Sequence, residues 1–312
     1  MMLTVVIPSY NESGLILPTA DRLRTVLTGA GIPYELIFVD DGSRDGTWQE
    51  IRTACRRDRR VRGLRFSRNF GKEAAIFAGL EAAAGACCAV IDCDLQHPPE
   101  KLTEMYRLWQ QGWEVVNGVK TDRGRESAVH GLAARCFYGL ISRASGVDLR
   151  RSSDFKLLDR KVVNALLALP ERRTFFRGLV GWMGYRSVDV EYAVAERTAG
   201  KTHFSPAAPI RYALSGIASY SAAPMQIVTV LGTLFLAASL GLMIQTLLRW
   251  AHGTAADGFT TVILLLLFTG SILMIALGTI GYYIAQIFLE CKGRPRYLVA
   301  QTEEQEETSH GT

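Results

Sequence analysis

The sequence predicts an α/β domain with a doubly wound, mostly parallel sheet, followed by an interfacial helix and two transmembrane helices. Three observations carry this expectation. Short β-branched apolar runs alternate with helix-spaced segments through the N-terminal part of the chain. Unusual polar clusters stand where those runs stop, and in parallel sheets ligands bind at the carboxyl ends of strands. Two long charge-free stretches follow near the other end, each exceeding the roughly 20 residues that cross a bilayer as helix.

Taken in order, Leu3 to Ile7 reads as a strand closing at Pro8, and Leu15 to Leu27 has helical spacing. Tyr34 to Val39 is the next strand and stops at Asp40-Asp41-Gly42-Ser43. Thr47 to Cys55 reads as helix, Val61 to Phe66 as strand, and the alanine-rich Lys72 to Ala84 as helix. Cys87 to Ile91 is a buried strand ending at Asp92, Glu100 to Gln111 is helical, and Glu114 to Val119 is a fifth strand. The glycine fingerprint GxGxxG is absent after the first strand, which disfavours a nicotinamide cofactor. No internal repeat is evident.

These readings divide the chain into a globular domain over 1–205, an interfacial linker over 206–221, two spans within 222–290, and a tail over 291–312. In the linker, Ile210, Tyr212, Leu214, Ile217 and Tyr220 are the larger apolar or aromatic residues, as in a helix lying on a membrane; a plain linker fits as well. Ala222 to Leu248 and Gly258 to Leu289 contain no charged residue. Arg211 precedes the first run, and Lys292, Arg294 and Arg296 follow the second. The positive-inside rule then puts both ends in the cytosol and the short connection outside. The acidic tail, with Glu303, Glu304, Glu306 and Glu307, reads as disordered. No signal peptide is expected, because the chain opens directly on a strand-like run.

The formal net charge is +5, and most basic residues lie before the first charge-free run. This suits anionic headgroups or phosphorylated substrates. Nucleic acid is disfavoured, since no basic helix is interleaved with aromatics. The six cysteines (Cys55, Cys87, Cys88, Cys93, Cys136, Cys291) form no CxxC pair and have no histidine at zinc spacing. They read as reduced, mostly buried thiols.

Chemistry concentrates at the strand ends. Asp92 and Asp94 stand two apart with Gln96 close by, an oxygen-only set suited to Mg²⁺ or Mn²⁺ shared with phosphate oxygens. Asp40 and Asp41 are candidates to accept from a pyrimidine N–H or ribose hydroxyls; helix capping explains one acid but not two adjacent ones. Pro8, Tyr10 and Glu12 close the first strand, where Tyr10 can stack on a base and Glu12 bind ribose. Arg68, Asn69, Gly71 and Lys72 form a basic turn entering a helix, a setting for a diphosphate or simply a solvated loop. Asp154, among Arg150, Arg151 and Lys156, either orients or deprotonates an acceptor, or forms a structural ion pair. Arg123, Arg125, Arg197, Lys201 and His203 are candidates to hold an acceptor phosphate or to attract lipid.

Four segments, Val5 to Glu12, Val39 to Ser43, Arg68 to Lys72 and Asp92 to Pro99, together resemble family-2 glycosyltransferases with the glycosyltransferase A fold. More narrowly they resemble the dolichol-phosphate mannosyltransferase and bacterial polyprenyl-phosphate glucosyltransferase branch, over nearly the whole chain. The resemblance implies a metal-dependent, inverting transfer of one sugar from a nucleotide sugar to a polyprenyl phosphate on the cytosolic face of the bacterial plasma membrane. It places Asp40 near the base, Asp92, Asp94 and Gln96 on metal and diphosphate, and Arg123, Asp154 and Lys201 at the acceptor. Asp94 and Asp154 are the expected catalytic residues. The two-span tail resembles the glucosyltransferase type, which implies UDP-glucose as first choice of donor, undecaprenyl phosphate as acceptor, a role in cell-envelope glycosylation, and a homotetramer. GDP-mannose and UDP-N-acetylhexosamine stay open as donors. Cys93 replaces the common Ala, His97 the common Asp, and Lys156 the common Arg.

Two rival readings fit less well. A processive polysaccharide synthase carries QxxRW and more spans; here Gln245 and Arg249-Trp250 are one residue too far apart. An inactive membrane scaffold sits badly with acids intact at every motif.

Overall fold

The computed structural model describes residues 1–121, 153–171, 175–193 and 258–304, with scattered positions between 228 and 252. The chain divides into two units, Met1–Phe204 with Arg294–Thr312, and Ser205–Gly293.

The first unit is a mixed eight-stranded sheet of order β7-β5-β6-β4-β1-β2-β3-β8. Its strands are β1 (Leu3–Ser9), β2 (Tyr34–Asp40), β3 (Val61–Phe66), β4 (Cys87–Val90), β5 (Val115–Lys120), β6 (Lys156–Asp159), β7 (Ser187–Tyr192) and β8 (Val299–Glu303). Its helices are α1 (Ile16–Gly29), α2 (Thr47–Arg57), α3 (Lys72–Ala82), α4 (Lys101–Gln110), α5 (Arg160–Ala168) and α6 (Phe176–Trp182). Strands β4, β1, β2 and β3 run parallel, joined by the expected strand–helix alternation. Every residue of β1 and β2 is buried, as continuous apolar strands covered on both faces must be. Leu3, Val5, Ile7, Leu36 and Phe38 pack with Leu23, Ile51 and Met105 in one core. The opposite face takes α3, which lies so close to β1 that a Cβ on Gly79 would stand 2.2 Å from Val6 Cγ1.

Between β4 and β5 the parallel order of the sheet is interrupted. β6 enters antiparallel to both neighbours, pairing Val90 with Lys156 and Asn117 with Lys156 at one end. This insertion puts the segment just before β6, Ser153 to Phe155, at the carboxyl end of β4. Neither β6 nor the parallel edge strand β7 was expected from the sequence.

The tail also departs from expectation. Residues 299–303 form β8, antiparallel to β3, instead of a disordered acidic segment. Arg296 Nη2 donates to the carbonyls of Leu169 and Glu171, and its guanidinium lies 4.7 Å from the Phe77 ring centroid. Tyr297 stacks on Phe66 at 4.9 Å. Glu303 and Glu304 then meet Arg52 at 3.1 Å and Arg62 at 2.7 Å. The acids that suggested solvation are partners of basic residues on α2 and β3. Residues 305–312, including Glu306 and Glu307, lie outside the described residues.

In the second unit, α7 (Phe259–Cys291) is one unbroken 33-residue helix matching the second expected span. Within it, Phe268–Cys291 is long and apolar enough to cross a membrane, the one such helix among the described residues. Its large side chains, Phe268, Leu273, Met274 and Ile284 among them, are exposed. The first expected span and the linker over 206–221 fall largely or wholly outside the described residues.

Candidate active site

The site begins with the backbone at the carboxyl ends of β1 and β2. Asn11 adopts φ +53°, a left-handed conformation that Asn tolerates. Its N–H donates to Ser43 Oγ at 2.9 Å, and its Oδ1 accepts from Arg44 N at 3.0 Å. Glu12 N donates to Thr47 Oγ1 at 2.8 Å. The loops after β1 and β2 are therefore laced together.

Asp40 and Asp41 have separate roles, and neither caps α2. Asp40 is fully buried; its Oδ1 accepts from Ser43 N at 2.9 Å and its Oδ2 lies 3.3 Å from Arg65 Nε. Asp41 accepts from Phe70 N at 2.6 Å and Gly71 N at 2.8 Å, fixing the turn that enters α3. Burial raises its pKa against the pull of those two amides. Gly42, at φ +70°, permits the approach of that turn: a Cβ there would stand 2.5 Å from the Arg68 carbonyl carbon. Only glycine satisfies both demands.

These loops frame a cavity of about 410 Å³. Tyr10, Ser43, Arg65, Arg68 and Asn69 line it, together with Gln301 from β8. Of the expected nucleotide contacts, Tyr10 and Asn69 are in this wall. Asp40 and Asp41 brace the loops around it, and Pro8 is buried within β1. Glu12 is partly buried in the β1–α1 loop.

Beyond β4 comes the acidic loop. Leu95 stands at φ +57°, an uncommon conformation for a branched side chain and a mark of functional loops. Gln96 N donates to Asp94 Oδ1 at 3.1 Å. Cys93 is buried at 2% exposure, near Thr19, so a small apolar side chain is what the position requires. His97 is also buried, stacked on Phe155 at 5.0 Å and edge-on to Tyr192. Its Nδ1 accepts from Asp92 N at 3.4 Å, which suits a neutral ring, and burial lowers its pKa.

A chain of charges runs from this loop into the segment before β6. Lys72 Nζ lies 2.6 Å from Asp92 Oδ1 and 2.8 Å from Asp154 Oδ2. Arg177, on α6, also holds Asp154, Nε to Oδ1 at 2.5 Å and Nη2 to Oδ2 at 2.8 Å. Burial alone would raise the Asp154 pKa; Arg177 and Lys72 outweigh it and hold the carboxyl well below the usual range. Burial likewise opposes the Lys72 charge, and Asp92 and Asp154 overcome it, so its pKa is raised. Glu73 sits beside this chain and accepts from Phe176 N at 2.8 Å. Burial, then the negative charge of Asp154, push it up to about 7. Lys156 donates to Asn117 Oδ1 at 2.6 Å, and burial brings it down to about 8.

The structure thus brings Lys72, Asp92 and Asp154 into direct contact, with Arg177 and Glu73 as members that the sequence did not single out. Among the described residues no group of three or more His, Cys, Asp and Glu converges as a ready cation cage. The oxygens of Asp92, Asp94 and Gln96 instead suit a Mg²⁺ or Mn²⁺ held by one or two carboxylates and completed by phosphate oxygens. Arg123, Arg125, Arg197, Lys201 and His203 lie outside the described residues.

The model of the family "Glycosyl transferase family 2" matches residues 4–167. An uncharacterized glycosyltransferase of Synechocystis sp. is 37% identical over 96% of this chain and 94% of its own. The bactoprenol glucosyl transferase of Shigella phage SfII is 34% identical over 97% of this chain and 98% of its own. Among solved structures, glucosyl-3-phosphoglycerate synthase of Mycobacterium tuberculosis, in complex with Mn²⁺, UDP and glucosyl-3-phosphoglycerate, superposes with TM-score 0.53 at 20% identity, covering 70% of this chain and 79% of that one. It shares the fold.

Proposed function

Because this chain belongs to glycosyl transferase family 2, we propose that it transfers one glucose from UDP-glucose to a polyprenyl phosphate, such as undecaprenyl phosphate, at a membrane surface. The donor and acceptor rest on the near full-length likeness to a bactoprenol glucosyl transferase. The observation that carries the mechanism is the ionic chain Asp92–Lys72–Asp154–Arg177 beside the acidic loop.

The acceptor phosphate is already ionised near neutral pH, so its oxygen attacks the anomeric carbon without a strong base. The carbon–oxygen bond to the donor diphosphate breaks, its electron pair leaves on the diphosphate, and the sugar configuration inverts. Asp154 suits this scheme as a positioning residue: an acid held far below its usual pKa is a poor proton acceptor, while its carboxylate fixes Lys72. Lys72 and Arg68 supply positive charge for the departing diphosphate, together with the amides that open α3. A divalent cation held by Asp92, Asp94 and Gln96 would add Lewis-acid stabilisation of the leaving group. The M. tuberculosis enzyme of the same fold is in complex with Mn²⁺ and UDP, which supports a divalent cation accompanying the donor.

The membrane reading is two spans, Ala222 to Leu248 and Gly258 to Leu289, with both ends cytosolic, and α7 supports the second. A homotetramer belongs to the same reading. The test is transfer of labelled sugar from UDP- and GDP-sugars to undecaprenyl phosphate, with Mg²⁺ or Mn²⁺ and with chelator. Metal-dependent labelling from UDP-glucose is the expected result; labelling from GDP-mannose alone would replace the donor, and none from any donor would overturn the reaction.

A further inference from the structure

Strand β8 follows α7 in the chain and lies far in sequence from every motif that suggested a nucleotide site. It nevertheless forms part of the cavity wall. Arg65 pairs with Gln301, but Phe66 pairs with Val299, so Ala300 is an extra residue in the ladder. Such a bulge re-aims side chains. Ala300 and Gln301 both line the cavity. The bulge is pinned on both sides, by Ser67 N donating to the Leu298 carbonyl at 3.0 Å and by the Arg52–Glu303 pair.

The chemistry of the wall separates two functions. The guanidiniums of Arg65 and Arg68 offer donors only and suit phosphate or sugar oxygens. A nucleobase edge mixes donors and acceptors. An amide presents one of each side by side, and Gln301 brings one to this wall. Resting on the donor reading above, we infer that Gln301 is a specificity-determining residue, its amide hydrogen-bonding the uracil edge while Ala300 leaves room for the ring. The segment after α7 is then part of the nucleotide site.

The test measures UDP and CDP affinity of the full-length protein in detergent with Mg²⁺. Gln301→Ala is expected to weaken UDP about tenfold, the effect of losing one to two neutral hydrogen bonds. Gln301→Glu opposes both diphosphates by charge, but its carboxylate repels O4 of uracil and accepts from the exocyclic amine of cytosine. The ratio of UDP to CDP affinity should therefore fall at least about fivefold. Gln301 is exposed, so folding is not at stake. Ala300→Trp provides a second reading by filling the cavity, and UDP binding should be lost. Arg68→Ala separates the role of Gln301 from the donor pocket itself. If it weakens UDP while all three β8 variants bind like wild type, the inference falls and the donor pocket stands. If Arg68→Ala and the β8 variants all bind like wild type, both fall.

Discussion

Arg177 grips Asp154 with two hydrogen bonds, one to each carboxylate oxygen, and Lys72 reaches the same carboxylate at Oδ2. With its side chain 6% exposed, Asp154 has exchanged water for two cations. Lys72 is engaged elsewhere as well, for it also holds Asp92.

Arg177→Ala leaves a buried carboxylate with one partner. Breaking a buried pair costs about 3–5 kcal/mol, and the remaining Lys72 contact brings the expected loss to the lower end. Arg177→Lys keeps the charge but loses the fork, and is expected to lower kcat while preserving most stability. Denaturant unfolding alongside transfer kinetics measures the two effects; equal stability in Arg177→Ala and wild type would contradict the pairing.

Asp94→Ala removes one of the two carboxylates proposed above to hold a divalent cation. Transfer is expected to fall by roughly 1,000-fold, the equivalent of several kcal/mol of lost charge stabilisation. The protein should remain folded and membrane-bound. Wild-type turnover in this variant would remove the acidic loop from the mechanism.

Glu73 is held near 7 when folded and titrates near 4.3 when unfolded. Between those values the folded chain keeps a proton that the unfolded chain has released. Stability from this group is complete below about pH 4 and is lost as pH rises through 7. Glu73→Gln retains the acceptor for Phe176 N and has no charge to bury. Its thermal midpoint should match wild type at pH 4 and exceed it at pH 8; a constant difference across that range would refute the assignment.

Gly79→Ala would ordinarily favour a helix by about 1 kcal/mol. Here the added methyl meets Val6 in a fully buried strand. The expected outcome is a loss of roughly 1–3 kcal/mol, reversed in large part by the double variant Gly79→Ala/Val6→Ala. Additivity of the two single losses would rule out the contact.

The parallel half of the sheet was legible because each strand from β1 to β4 carries its own apolar run and its own polar stop. Asp92 and Lys72 were legible as residue types for the same reason, and Asp154 as an acid among the basic Arg150, Arg151 and Lys156. Their contact was not, because it depends on β6 entering antiparallel beside β4. That four-residue strand, Lys156–Asp159, opens on a lysine, and four residues show no period. Arg177 and Glu73 carry no local signal: the first sits in an apolar helix, and the second reads as an ordinary first-turn acid of α3. Asp40 and Asp41 were recognised as more than caps, but their bracing of neighbouring loops emerges only when β2 and β3 lie side by side. The tail misled for a related reason: Glu303 and Glu304 look like solvated acids until Arg52 and Arg62 are brought opposite.

Strand β8 has a consequence for how the protein is made. Arg62 and Glu304 are 242 residues apart in sequence, yet they pair across one edge of the sheet. On a translating ribosome the strands from β1 to β7 emerge first, and domains fold in that order. The β3 edge then stays bare until the long apolar helix α7 has been synthesised and its follower arrives. Throughout that interval the nascent protein displays an unpaired edge, the kind of surface that recruits stray strands. Completion of the globular fold is thereby timed to follow delivery of the apolar helix, so a chain stalled within α7 is left with an incomplete sheet.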